Sequence, residues 1–148
     1  MPHLVILCSG NLDARTDLSL LCRSLADTLL AQHDEAGKAV FPPGGTRVLA
    51  CPAPHFAISD GGAAGRSAGG DGNYGFAYLN LRMGRGRSAA VQQGVGQALM
   101  AVAQAHFAPL MAAMHVGVTL QIDVGAEVFD AKHSTLHPLF NPPDPKPD

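Results

Sequence analysis

Residues 3 to 8, HLVILC, form an aliphatic, β-branched run that starts almost at the first residue and closes at Ser9-Gly10-Asn11, a pattern that predicts a strand. From Asp17 onward Leu18, Leu21, Cys22, Leu25 and Leu29 recur at three- and four-residue spacing. This spacing lines one face of a helix of about four turns, ending before Gly37. Pro42-Pro43-Gly44-Gly45 breaks the chain, and Arg47 to Cys51 reads as a second short strand stopped by Pro52. The order repeats in the second half. Tyr74 to Met83 predicts a strand, Ser88 to about Met114 a helix, and Val116 to Val124 a closing strand. Val91, Val95, Leu99 and Val102 mark the buried face of that helix. Pro109 is expected to kink or interrupt its last turns, because proline removes a backbone donor.

Two βαβ units, about 2–52 and 73–124, predict an α+β fold with a four-stranded mixed sheet and both helices on one face. They form a single domain over 1–140. Leu4-Val5-Ile6-Leu7 and Phe76-Ala77-Tyr78-Leu79 carry bulky groups on both faces, and no segment is large enough to cover the second face. Oligomerisation is the simplest physical answer. The glycine-rich stretch Gly61 to Gly72 offers nothing to fill a core and reads as a mobile loop. The proline-rich tail 141–148 is expected to be extended or disordered.

Composition sharpens this picture. Apolar residues make up 47% and charged residues 15% of the chain, greasy for a monomer and consistent with subunit contacts. A net charge of -2 argues against nucleic acid, whose phosphates need a basic face. The start MPHLVILCSG lacks a basic segment and a cleavage pattern, and no window approaches ~18 uninterrupted apolar residues. The reading is a soluble cytoplasmic protein without a membrane partner. Cys8, Cys22 and Cys51 match no zinc or thioredoxin spacing and read as reduced core residues.

Pro2 is the first chemical candidate. Removal of Met1 would leave a secondary amine able to take and give a proton near neutral pH, and an apolar pocket near guanidinium groups would lower its pKa. Proline at position two is also common and carries no meaning by itself. Arg47 starts a strand, and Arg87 lies in Gly84-Arg85-Gly86-Arg87-Ser88 at a strand-to-helix junction. A glycine-rich bend opening a helix presents backbone donors to an anion, and the Arg87 fork suits a carboxylate. The bend lacks the later glycine of a dinucleotide fingerprint and the lysine of a P-loop. His106 reads as a satisfied core histidine. His133 and His137 read as part of a terminal segment packing on the body, so no metal is expected.

Together the opening MPH-LVILCS, the FPPGGTRV turn and strand, the YGFAYLNLRMGRGRS junction, the AHFAPLM helix end and the final HPLF resemble the 5-carboxymethyl-2-hydroxymuconate isomerase family of the tautomerase superfamily. The resemblance runs from Pro2 to about Phe140. It implies a trimer of (βαβ)2 subunits whose sheets pack together, Pro2 as general base and acid, and Arg47 and Arg87 as carboxylate-binding residues, with no cofactor. Arg85 has no equally firm counterpart. The 61–72 loop and the tail depart from the family pattern and bear on substrate choice.

The resulting expectation is an isomerase acting on a small dicarboxylate or tricarboxylate dienol of aromatic catabolism. Two alternatives remain open at this stage. One is a tautomerase acting on another enol or unsaturated acid, and the other a non-catalytic trimeric binding protein.

Overall fold

The computed structural model describes residues 2–140. Four strands, β1 (His3–Ser9), β2 (Arg47–Ala53), β3 (Gly75–Gly84) and β4 (Val116–Gly125), form one sheet in the order β2-β1-β3-β4. β1 pairs parallel with β2 and antiparallel with β3, and β3 pairs parallel with β4. The long helices α1 (Leu18–Leu30) and, after the short α2 (Ala63–Ser67), α3 (Ala89–Met111) pack on one face and against each other. The α+β fold and mixed sheet expected from the sequence are present.

Alternation along the strands divides the side chains cleanly. Leu4, Ile6 and Cys8 of β1 and Ala77, Leu79, Leu81 and Met83 of β3 join Leu21, Leu25, Leu29, Val95, Leu99 and Phe107 in the core. The intervening positions point away from the helices and leave Leu7, Leu49 and Phe76 exposed. This is the uncovered sheet face that the two-sided strands required. Cys51 lies on it, so only Cys8 is a fully buried cysteine and the expectation of three core thiols is corrected for Cys51.

Helix boundaries follow local chemistry. The Asp17 carboxylate accepts from Leu20 N at 2.9 Å and the Ser88 hydroxyl from Val91 N at 3.2 Å, capping α1 and α3. α1 ends at Leu30, well short of Gly37, because a separate turn follows. There Asp34 accepts from Ala36 N and Lys38 N, and Gly37 takes φ +76°.

Two expectations from proline are corrected. β2 continues through Pro52 to Ala53, since it is an edge strand where a missing N–H costs no ladder partner. α3 runs through Pro109. Both Pro109 and Ala105, four residues earlier, are exposed, so the carbonyl that proline leaves unbonded can meet water. The 61–72 segment, expected to be a mobile loop, carries the short helix α2 and its own hydrogen bonds. Asp60 accepts from Gly62 N and Ala64 N, and Tyr74 Oη accepts from Gly65 N at 2.7 Å. Gly62 has φ +94° and approaches Gly72 so closely that a Cβ would lie 2.1 Å from the Gly72 carbonyl oxygen. Glycine here permits packing of the loop on itself. The 141–148 tail lies outside the described residues.

Candidate active site

The parallel and antiparallel pairings bring the start of β1, the start of β2 and the ends of β3 and β4 to one end of the sheet. Pro2 is buried there, immediately before β1. Extending the β1 registers by one residue sets it between Thr46 and Met83. Its parity matches Leu4 and Ile6, so it belongs to the helix side of the layer.

Arg47 is half-buried and opposite His3. Its neighbours Val48 and Ala50 pack on the core, which puts Arg47 on the open face. The side chain folds back so that Nη1 donates to the Gly44 carbonyl at 2.9 Å and, less closely, to that of Thr46. The Pro43–Gly45 3-10 turn thus both introduces the strand and holds its first side chain.

Arg87 is half-buried between β3 and α3. Nη1 donates to the Gly84 carbonyl at 3.1 Å, Nη2 donates to that of Val40 at 3.1 Å, and the guanidinium carbon stands 5.9 Å from the centroid of the buried Phe41 ring. These contacts orient the fork and leave some of its five N–H donors for a ligand. A groove of about 510 Å³ runs beside it, lined by Lys38, Pro42, Arg85, Arg87 and Ser88. Arg85 is exposed in its wall. The Glu35 carboxylate in the same wall accepts from the Ser88 hydroxyl, which lowers its pKa. Pro2, Arg47 and Arg87 therefore share one sheet end, with the two arginines on opposite sides of the layer.

The family model described as 5-carboxymethyl-2-hydroxymuconate isomerase matches residues 2–140. The chain belongs to that family. A crystal structure of a 5-carboxymethyl-2-hydroxymuconate delta-isomerase is similar at 63% identity and a TM-score of 0.91, over 95% of this chain and 93% of that one. A 5-carboxymethyl-2-hydroxymuconate isomerase from Deinococcus radiodurans R1 is 28% identical with a TM-score of 0.75, over 94% and 93% of the two chains. The 5-carboxymethyl-2-hydroxymuconate Delta-isomerase of Escherichia coli is 26% identical over 140 residues, 95% of this chain and 99% of that protein.

Within this isomerase family fold, the segment after β4 crosses the same sheet end. β4 and β2 are opposite edges, yet the helix α4 (His137–Phe140) packs on the turn before β2, where a Cβ on Gly44 would lie 3.2 Å from His137 Cα. The connection passes the ends of β3 and β1 on its way. The Asp130 carboxylate, held low by its hydrogen bond from Lys132, lies within electrostatic reach of His3. The expected packing of the HPLF segment on the body is observed. His106 is satisfied as expected, with Nε2 2.8 Å from Thr16 Oγ1 and its ring edge-on to Phe107.

His3, Arg82 and Asp130 were not singled out by the sequence reading. His3 and Arg82 sit inside apolar strand patterns, and only the register shows that they share a row. Strict alternation in LNLRMG was the one available signal that Arg82 leaves the core.

Among the described residues no helix is long and apolar enough to cross a membrane.

Proposed function

We propose that this chain is an isomerase that ketonises 5-carboxymethyl-2-hydroxymuconate, with Pro2 as general base and acid and Arg47 and Arg87 as carboxylate holders. The observation that carries the reading is the placement of buried Pro2 with Arg47 and Arg87 at one sheet end, in a chain of this family.

With Met1 removed, the Pro2 amine starts near an ordinary α-amino pKa of about 8. Burial disfavours its ammonium form and so favours the neutral base that the reaction needs. Pro2 takes the 2-hydroxyl proton, the electron pair moves through the diene, and the resulting ammonium returns a proton to carbon. The product is the conjugated unsaturated ketone. Proton number and charge balance without an added reactant. Arginines at the carboxylates hold the acid for proton transfer and stabilise dienolate charge as it forms.

A homotrimer fits this reading. The face bearing Leu7, Leu49 and Phe76 would be covered if sheets of three copies packed together, which suits the apolar composition.

The deciding experiment follows the ultraviolet absorbance of 5-carboxymethyl-2-hydroxymuconate dienol with Met1-free protein, beside Pro2→Ala and buffer. Rapid loss that disappears in the variant supports both the activity and the base. Native protein that matches buffer rejects the isomerase reading.

A further inference from the structure

Arg47 of β2, His3 of β1, Arg82 of β3 and Asp123 of β4 stand in one line across the sheet end, each opposite the next. All four occupy the open face, because the adjacent Leu4, Leu81 and Val48 pack toward the helices. Neighbouring strands are ~4.8 Å apart, so the two arginine Cα atoms are about 10 Å apart with His3 midway. That spacing lets two long side chains converge on one carboxylate above the histidine.

Asp123 faces Arg82 in register but is engaged elsewhere. Its Oδ2 accepts from Asn80 Nδ2 at 2.8 Å; Asn80 also donates to Tyr78 Oη, and Tyr78 donates to Gln121 Oε1 at 2.6 Å. Asp123 thus bonds to Asn80, and Arg82 makes no salt bridge among the described residues. Its Nη2 lies beside Gly125, where an added Cβ would be 3.9 Å away. An exposed arginine in one strand row with a second arginine and a histidine, its in-register acid bonded to Asn80, is free to turn its guanidinium to an outside anion.

We propose that Arg82 and His3, beside Arg47, form a second carboxylate subsite that selects a three-carboxylate dienol over a two-carboxylate one. The inference rests on the isomerase reading above, since His3 directly follows the proposed base. It assigns the extra carboxymethyl group of the substrate to the open-face side and leaves Arg87 to serve the helix side. Partial burial, the amino-terminal charge and the Arg47 charge hold the His3 pKa down while Asp130 opposes them, so the imidazole meets its ligand chiefly as a neutral N–H donor. The row is the outermost one that all four strands share. A partner copy covering Leu49, Val5 and Leu7 leaves it at the rim.

The test compares native protein with Arg82→Gln, Arg82→Lys, His3→Gln and the control Arg23→Gln, whose site is an exposed helix ion pair. The kcat/KM for 5-carboxymethyl-2-hydroxymuconate is divided by that for 2-hydroxymuconate. In parallel, calorimetry measures binding of two unreactive probes, tricarballylate and glutarate. Loss of one charge-assisted contact predicts that Arg82→Gln lowers both selectivity ratios about tenfold. Arg82→Lys restores part of the loss, His3→Gln lowers the ratios less, and Arg23→Gln leaves them alone. Ratios unchanged in Arg82→Gln, with folding intact by circular dichroism, overturn the subsite. Native protein that turns over neither dienol, while Arg82→Gln still abolishes the preference for tricarballylate, rejects the isomerase reading and keeps the subsite.

Discussion

Arg87 donates from Nη2 to the carbonyl of Val40 at 3.1 Å, joining the start of α3 to the loop that leads into β2 across a separation of 47 residues. The bond orients the guanidinium over Phe41 and gives a half-buried carbonyl its partner. On the proposed reading, one side chain serves both the substrate anion and the join between the two βαβ halves.

Arg87→Ala is therefore expected to lower kcat/KM by about 10- to 100-fold, the value of one charged hydrogen bond at roughly 1.5–3 kcal/mol. It should also lower the thermal midpoint. Arg87→Lys keeps the charge without the planar fork and should fall between the two. Steady-state kinetics and thermal unfolding of the same preparations check this. Full kcat/KM in Arg87→Ala removes the residue from the site.

Cys51 reports on the open sheet face. In an isolated chain it is exposed, whereas Cys8 is buried. If copies pack sheet to sheet, the Cys51 thiol becomes protected, and alkylation should be slow in the assembled protein and fast after dilution or mild denaturant. Sedimentation gives the assembly state for each sample. A trimer whose Cys51 reacts at the rate of a free thiol has its interface elsewhere.

His106 supplies a pH dependence. Burial lowers its pKa from the ordinary 6.5, with Asp17 acting weakly in the opposite sense, and the 2.8 Å contact to Thr16 Oγ1 suits a neutral ring accepting from the hydroxyl. The folded state thus binds fewer protons than the unfolded state just below pH 6.5. Stability from this group is complete above that pH and declines as pH falls toward the folded-state pKa. Urea midpoints should drop with acidification over this window, and His106→Gln should flatten the drop. An unchanged slope in the variant places the titration on another group.

The amino-acid pattern by itself determined the four strands and the two long helices. Leucines at three- and four-residue spacing produced α1, alternation produced the strands, and the doubled strand-helix-strand order produced a mixed sheet with one bare face, because burial of apolar side chains is local in its periodicity. It also marked Pro2, Arg47 and Arg87, whose chemistry or position at element ends is visible without coordinates.

Tertiary structure decided what depends on neighbours distant in sequence. Pro52 could remain in a strand only because β2 is an edge, and the 61–72 loop found order through the Tyr74 hydroxyl and a close approach to Gly72. The Arg47, His3, Arg82 row exists only through registers linking residues 3, 47 and 82. A shift of one residue would send those side chains into the core. Pairing between remote strands sets which residues stand opposite one another, and periodicity within one strand gives only the face each side chain takes.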